Sequence, residues 1–210
     1  MAEETTPVIR EHMLSPSAWN RYETCPRMYW LSRQRLPRKA GMAASLGTAV
    51  HASIEDLLLT DYSHIGNQED GWLPQEAERI LKLRWEEEKG VFMNTPRRPK
   101  WKEEKWKEAI KQQRGGVIML LDHVGIQGLE HKRITGALWR KIQKHAIAVE
   151  GELKTKDGRL MGRLDLLLAD VNEAGEMTGW LVADLKTGRT PEKKLKTEVV
   201  GTFPRFCFYR

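Results

Sequence analysis

The sequence predicts an α/β fold, a small mixed β-sheet flanked by helices, on three observations. Two apolar runs, residues 160–169 and 180–185, have strand length and composition. The polar, glycine-containing segment VNEAGEMTG between them suits a hairpin. Upstream, residues 41–60 and 75–89 carry apolar residues at helical spacing. The chain has 210 residues, enough to bury one core, with 40% hydrophobic and 30% charged side chains. That composition excludes a disordered chain. No apolar run approaches the roughly 20 residues that span a bilayer, and the acidic, polar start MAEETTPVIREH is not a secretory signal. Two cysteines, Cys25 and Cys207, stand far apart, which argues against a disulfide framework and for a reducing, cytoplasmic setting. The net charge of +6 fits a polyanionic partner such as nucleic acid.

In chain order, residues 1–13 read as a flexible tail. SPSAWNRYETCP reads as a short helix capped by serine and stopped at Pro26, and PRMYWLSRQRL as a second. Tyr22, Tyr29 and Trp30 are expected to pack inward. Residues 41–60 form the strongest helix. Leu46, Val50, Ile54, Leu57 and Leu58 make its apolar face, and Gly47, His51 and Glu55 line up beside it at i, i+4, i+8. A loop follows over 61–74. The helix of 75–89 turns Ile80, Leu81 and Trp85 inward. A long helical stretch is expected over about 100–121; Arg97 to Arg114 holds eight Lys/Arg against three Glu, with Trp101 and Trp106 interleaved. That pattern favours contact with a DNA backbone over a plain solvated face. Gly125, Gly128 and Gly136 interrupt it, and a helix is expected to end near Lys144. Residues 146–153 (AIAVEGEL) supply a first strand ahead of the hairpin. After Gly188 a basic linker, RTPEKKLKTE, leads to VVGTFPRFCFYR, which is expected to begin a helix against the sheet.

The anomaly is charge in the hairpin. Asp165 lies inside one run, and Asp184 and Lys186 close the other. The period of two puts Asp184 and Lys186 on one face and Leu185 on the opposite one. Carboxylates on a half-buried sheet are costly unless they are paired or hold a cation. Asp165 and Asp184 could ligate Mg²⁺ or Mn²⁺, which take oxygen ligands. Such an ion polarises a phosphoryl oxygen and activates a water. Lys186 could orient that water or offset developing charge. His51 could add a nitrogen ligand, and either Glu150 or Glu152 a further oxygen. The set suits metal-assisted phosphodiester hydrolysis. A phosphate-binding GxxxxGK[ST], a GxGxxG after a strand, an HExxH and a CxxC pair are all lacking.

GRLD at 162–165 followed by DLKTG at 184–188 resembles the PD-(D/E)XK nuclease superfamily, most closely its RecB/AddB/Cas4-like branch. LSPSAWNRYETCPRMYWL resembles the N-terminal S-x-S…Y-x-x-C-P…Y segment of that branch, and LGTAVHASIEDLL its G-x-x-x-H helix. FPRFCFYR occupies the place of its Q-x-x-x-Y motif. The resemblance covers residues 14–60 and 145–210. It implies a restriction-endonuclease-like core over 14–210 with a helical insertion at 61–144. It further implies that His51, Asp165, Asp184 and the Leu185 carbonyl bind Mg²⁺ or Mn²⁺, that Lys186 is catalytic and that Glu150 is an auxiliary acid. Tyr209 and Arg205 would meet substrate, together with Lys102 and Lys105 of the basic stretch. Arg205 stands where the branch has glutamine. Relatives that carry a [4Fe–4S] cluster use a cysteine at the Cys25 position with three C-terminal ones; here Cys207 alone follows, outside that pattern, so no complete cluster is expected. Either the C-terminus is shortened or the lineage has no cluster. The implied activity is a DNA nuclease of exonuclease type, acting on single strands or duplex ends in repair, recombination or phage/CRISPR-type processing. The alternative is a non-catalytic DNA-binding or scaffold subunit beside a helicase.

Overall fold

The computed structural model describes residues 13–34, 36, 40–123, 133–171, 176–187 and 205–209, with 123, 171 and 205–209 described by their backbone. The expected tail up to residue 12, the breaks at Gly125 and Gly128 and the basic linker after Gly188 lie outside the described residues. The elements run α1 (Pro16–Thr24), α2 (Pro26–Arg33), α3 (Met42–Leu59), α4 (Trp72–Met93), a 3₁₀ turn (Glu103–Lys105), α5 (Trp106–His123), α6 (Gly136–His145), then β1 (Ala146–Lys154), β2 (Met161–Val171), β3 (Met177–Lys186) and β4 (Arg205–Tyr209). The chain divides into two compact units: residues up to 36 together with 152–163, and residues 37–151 together with 164–210.

In the first unit, α1 begins where the Ser15 side chain accepts the Ala18 N–H at 3.2 Å, with Pro16 in the first turn. Cys25 is extended, as a residue before proline must be, and this separates α1 from α2. Leu14 forms a parallel bridge to Leu160, its N–H reaching the Arg159 carbonyl at 2.7 Å.

The second unit is built around α3. Val50 and Leu57 are fully buried there, and Leu46, Ile54 and Leu58 nearly so, as the sequence predicts. They pack with Leu81 and Trp85 of α4, Leu120 and Leu121 of α5, and Trp139 of α6. The last carbonyls of α3 are satisfied by side chains of α6: Trp139 Nε1 donates to Leu57 and Gln143 Nε2 to Leu58 and Thr60. Gly136 is required at the start of α6, because a Cβ there would stand 2.6 Å from the Gly66 carbonyl oxygen. The helix expected over 75–89 is longer, and the one expected from 100 opens as a 3₁₀ turn before α5.

The sheet has four strands in the order β1-β2-β3-β4. Both pairings of defined register are antiparallel, β2 on β3 through Leu166↔Ala183 and β3 on β4 through Asp184↔Cys207. The expectation of a helix at the C-terminal segment is corrected: 205–209 is a strand. An aromatic-rich run suits the pleat, and it covers a β3 edge that would otherwise expose unpaired backbone groups. Leu181, Ala183 and Leu185 are buried, alternating with half-buried Val182 and Asp184. Leu164, Leu166 and Leu168 do the same around Asp165 in β2. The two acidic residues therefore occupy the alternate positions of strands whose other face is core.

Candidate active site

The row Gly47–His51–Glu55 of α3 positions the helical part of the site. A Cβ on Gly47 would stand 2.8 Å from Thr187 Oγ1, so the glycine lets α3 approach the end of β3. One turn on, His51 projects toward β1 and β2. Its Nδ1 lies 3.6 Å from Asp165 Oδ2 and 3.8 Å from Glu150 Oε1, beyond hydrogen-bond distance of both. One ligand atom from each of His51, Glu150 and Asp165 falls within 4.8 Å of the others. Ligand atoms in an octahedron of 2.0–2.1 Å bonds stand roughly 3–4 Å apart. The two distances from His51, 3.6 and 3.8 Å, match that spacing, so this group of one nitrogen and two oxygens could hold a hard divalent cation. Glu55, a further turn along α3, lines the same pocket with Leu185 and Val149. The sequence puts Glu55 in this row without pointing to its carboxylate as part of the site; the i+4 step from His51 is the signal that could have found it.

The strands position the rest. Asp165 is held by the Leu185 backbone, whose N–H donates to its Oδ2 at 2.7 Å. Two residues apart on β3, Asp184 and Lys186 are joined as an ion pair. Burial, and after it the Asp184 carboxylate, raise the Asp165 carboxyl above its ordinary value; the Leu185 N–H, His51 and Lys186 act the other way. A half-buried carboxyl strained in this manner is one that a cation would relieve.

Glu150 and Glu152 are separated by backbone conformation. Plain alternation would put both on one face, but Glu150 is left-handed at φ 50. Glu150 joins the His51–Asp165 group, whereas Glu152 pairs with Lys154 at 2.9 Å.

The interleaved tryptophans of the basic stretch pack inward instead of standing exposed among its charges. Trp101 is buried against Trp85 and Phe92, with ring centroids 4.8 and 5.0 Å apart, and Trp106 packs on Trp85 at 5.6 Å. Lys105 pairs with Glu108 at 2.5 Å, while Lys102 is exposed at the surface. Arg205, Cys207 and Tyr209 lie on β4, and their side chains are outside the described residues. Cys25 is a free, half-buried thiol at the joint of α1 and α2.

No helix among the described residues is long and apolar enough to cross a membrane. No curated protein and no solved structure shows significant similarity to the chain. The family model of the PD-(D/E)XK nuclease superfamily matches residues 13–209, from the segment before α1 through β4 and across every residue of the site. The chain belongs to the PD-(D/E)XK nuclease superfamily, whose members are metal-dependent phosphodiester hydrolases.

Proposed function

We propose that the chain is a Mg²⁺- or Mn²⁺-dependent deoxyribonuclease of the RecB/Cas4-like type. It acts as an exonuclease on single strands or duplex ends, in cytoplasmic DNA repair, recombination or phage/CRISPR-type processing. The observation that supports this reading most is the convergence of His51, Glu150 and Asp165 beside the Asp184–Lys186 pair. His51 and Asp165 hold the cation, with Asp184 and the Leu185 carbonyl completing the protein ligands. When bound, the cation supplies Lewis acidity toward a phosphoryl oxygen. The Leu185 N–H keeps the Asp165 carboxylate in position. Lys186 places its ammonium on the site's face of β3, where it orients the attacking water and offsets charge that develops on the phosphate. Glu150 is the auxiliary acid. Arg205, Tyr209, Lys102 and Lys105 contact the DNA, and a helicase or recombination protein is the partner that would feed it.

Hydrolysis of labelled single-stranded and blunt duplex DNA in Mg²⁺ or Mn²⁺ tests this. Asp184→Ala and Lys186→Ala should each lower the rate by about 10²-fold or more, and chelation should abolish it. Turnover that survives both substitutions would remove the site. Tight DNA binding without turnover in the wild type would favour the scaffold alternative.

A further inference from the structure

We propose that the exposed face of α1 and α2 is a stacking platform for single-stranded DNA. It rests on the nuclease reading only in taking nucleic acid as the ligand. α2 buries none of its side chains and α1 buries Ala18 alone. Yet the pair carries Trp19 and Tyr22 at 47% exposure each and Trp30 at 60%. Aromatic rings of this size are normally spent on a core, and the sequence leads one to expect Tyr22 and Trp30 inside. Exposed apolar surface concentrated on one short helical hairpin marks an interaction site.

Three of its rings, Trp19, Tyr22 and Tyr29, are also braced. Trp19 and Tyr22 stand one turn apart with centroids at 6.2 Å. Tyr22 meets Tyr29 edge-on at 5.7 Å across the α1–α2 joint. The Arg33 guanidinium sits 5.5 Å from the centre of the Tyr29 ring. A braced ring offers its free face with little conformational entropy left to lose.

The charges between the rings identify the occupant. Arg21, Arg27 and Arg33 stand against Glu23 alone over α1 and α2. Arg27 and Arg33 lie one turn before and one turn after Trp30. Alternating aromatic faces and guanidinium groups match the alternating bases and phosphates of an unpaired strand. A duplex hides its base faces, so it could use the arginines but not the rings.

The test is fluorescence anisotropy of a labelled oligodeoxythymidylate of about 16 nucleotides with the full chain in EDTA, where hydrolysis cannot contribute. Trp19→Ala and Trp30→Ala should each weaken binding about 5- to 150-fold, while Trp19→Phe and Trp30→Phe keep most of it. Arg27→Gln combined with Arg33→Gln should flatten the dependence of log Kd on log salt by about 0.7 per lost contact. Unchanged affinity in both alanine variants overturns the proposal. So does a duplex of the same length that binds as tightly and loses as much on the alanine changes. Self-association seen by sedimentation and abolished by Trp30→Ala also overturns it, since the face would then meet a second copy. Binding in EDTA without cleavage in Mg²⁺ or Mn²⁺ would sink the nuclease reading and leave this one standing. Cleavage with binding indifferent to the tryptophans would do the reverse.

Discussion

Glu150 owes its place in the site to its backbone. A left-handed residue with a side chain costs of order 1–2 kcal/mol, and at φ 50 it breaks the alternation of β1 just where a carboxylate is needed. Strain of this kind persists where surrounding structure holds it, and it concentrates at functional sites. Tyr62 is a second residue whose environment has a measurable consequence. It is buried, and its hydroxyl donates to Glu76 at 3.4 Å. Burial, and after it the Glu76 charge, push its phenol from 10.0 up to about 12. The folded state therefore holds this proton more tightly than the unfolded chain does. The stability involved is fully present below pH 10 and is lost as pH rises toward 12, by on the order of 2–3 kcal/mol. Urea melts across that window should show the loss in the wild type. Tyr62→Phe has no proton to lose, so the difference between the two chains isolates the effect; parallel slopes would refute it.

At the scale of elements, the contact of α3 with the end of β3 decides where His51 stands relative to Asp165. Alanine at position 47 would gain helix propensity of up to about 1 kcal/mol, but its Cβ would press on Thr187 Oγ1. Overpacking costs about 1–3 kcal/mol, and Thr187 follows directly on the site strand, so the clash should win. Gly47→Ala should lower both stability and metal-dependent activity, and Gly47→Ala with Thr187→Ala should recover stability. A double-mutant cycle by urea unfolding should give a coupling of about 0.5–3 kcal/mol; additive effects would mean that helix and strand do not press on each other there. The row that makes this contact was visible in the sequence, because i, i+4 spacing on a strong amphipathic helix fixes who shares a face. The hairpin acids were visible as well, since charge in an apolar strand stands out. Other features depended on partners far along the chain. Trp101 and Trp106 read as part of a basic surface because their packing partners, Trp85 for both and Phe92 for Trp101, lie in another helix. Residues 205–209 read as helical because the open edge of β3 is a property of the assembled sheet. The conformation of Glu150 leaves no trace in a pattern of residue types.

Over the whole molecule, the site draws on α3, β1, β2 and β3, elements up to 135 positions apart in the chain, between His51 and Lys186. Without a cation, Glu55, Glu150 and Asp165 gather negative charge around one pocket, Asp184 adds to it from beside Asp165, and Lys186 and His51 act against it. A divalent ion bound there would offset that repulsion and tie helix to sheet, and it would do so in the folded state alone, since the unfolded chain does not bring the ligands together. Binding linked to folding in this way raises stability by about 2.7 kcal/mol when the ligand is at 100 times its dissociation constant. For a chain of this size each kcal/mol moves the melting temperature by about 2–4 °C. Saturating Mn²⁺ should therefore raise Tm by roughly 5–10 °C over the protein in EDTA. Asp165→Ala and His51→Ala should each remove most of that rise, whereas Lys102→Ala, distant from the ligand residues in sequence and exposed at the surface, should leave it intact. A rise that persists in both ligand variants would place the ion elsewhere. No rise at all in the wild type would mean that His51, Glu150 and Asp165 come together without holding a metal, and the hydrolytic reading would lose its physical basis.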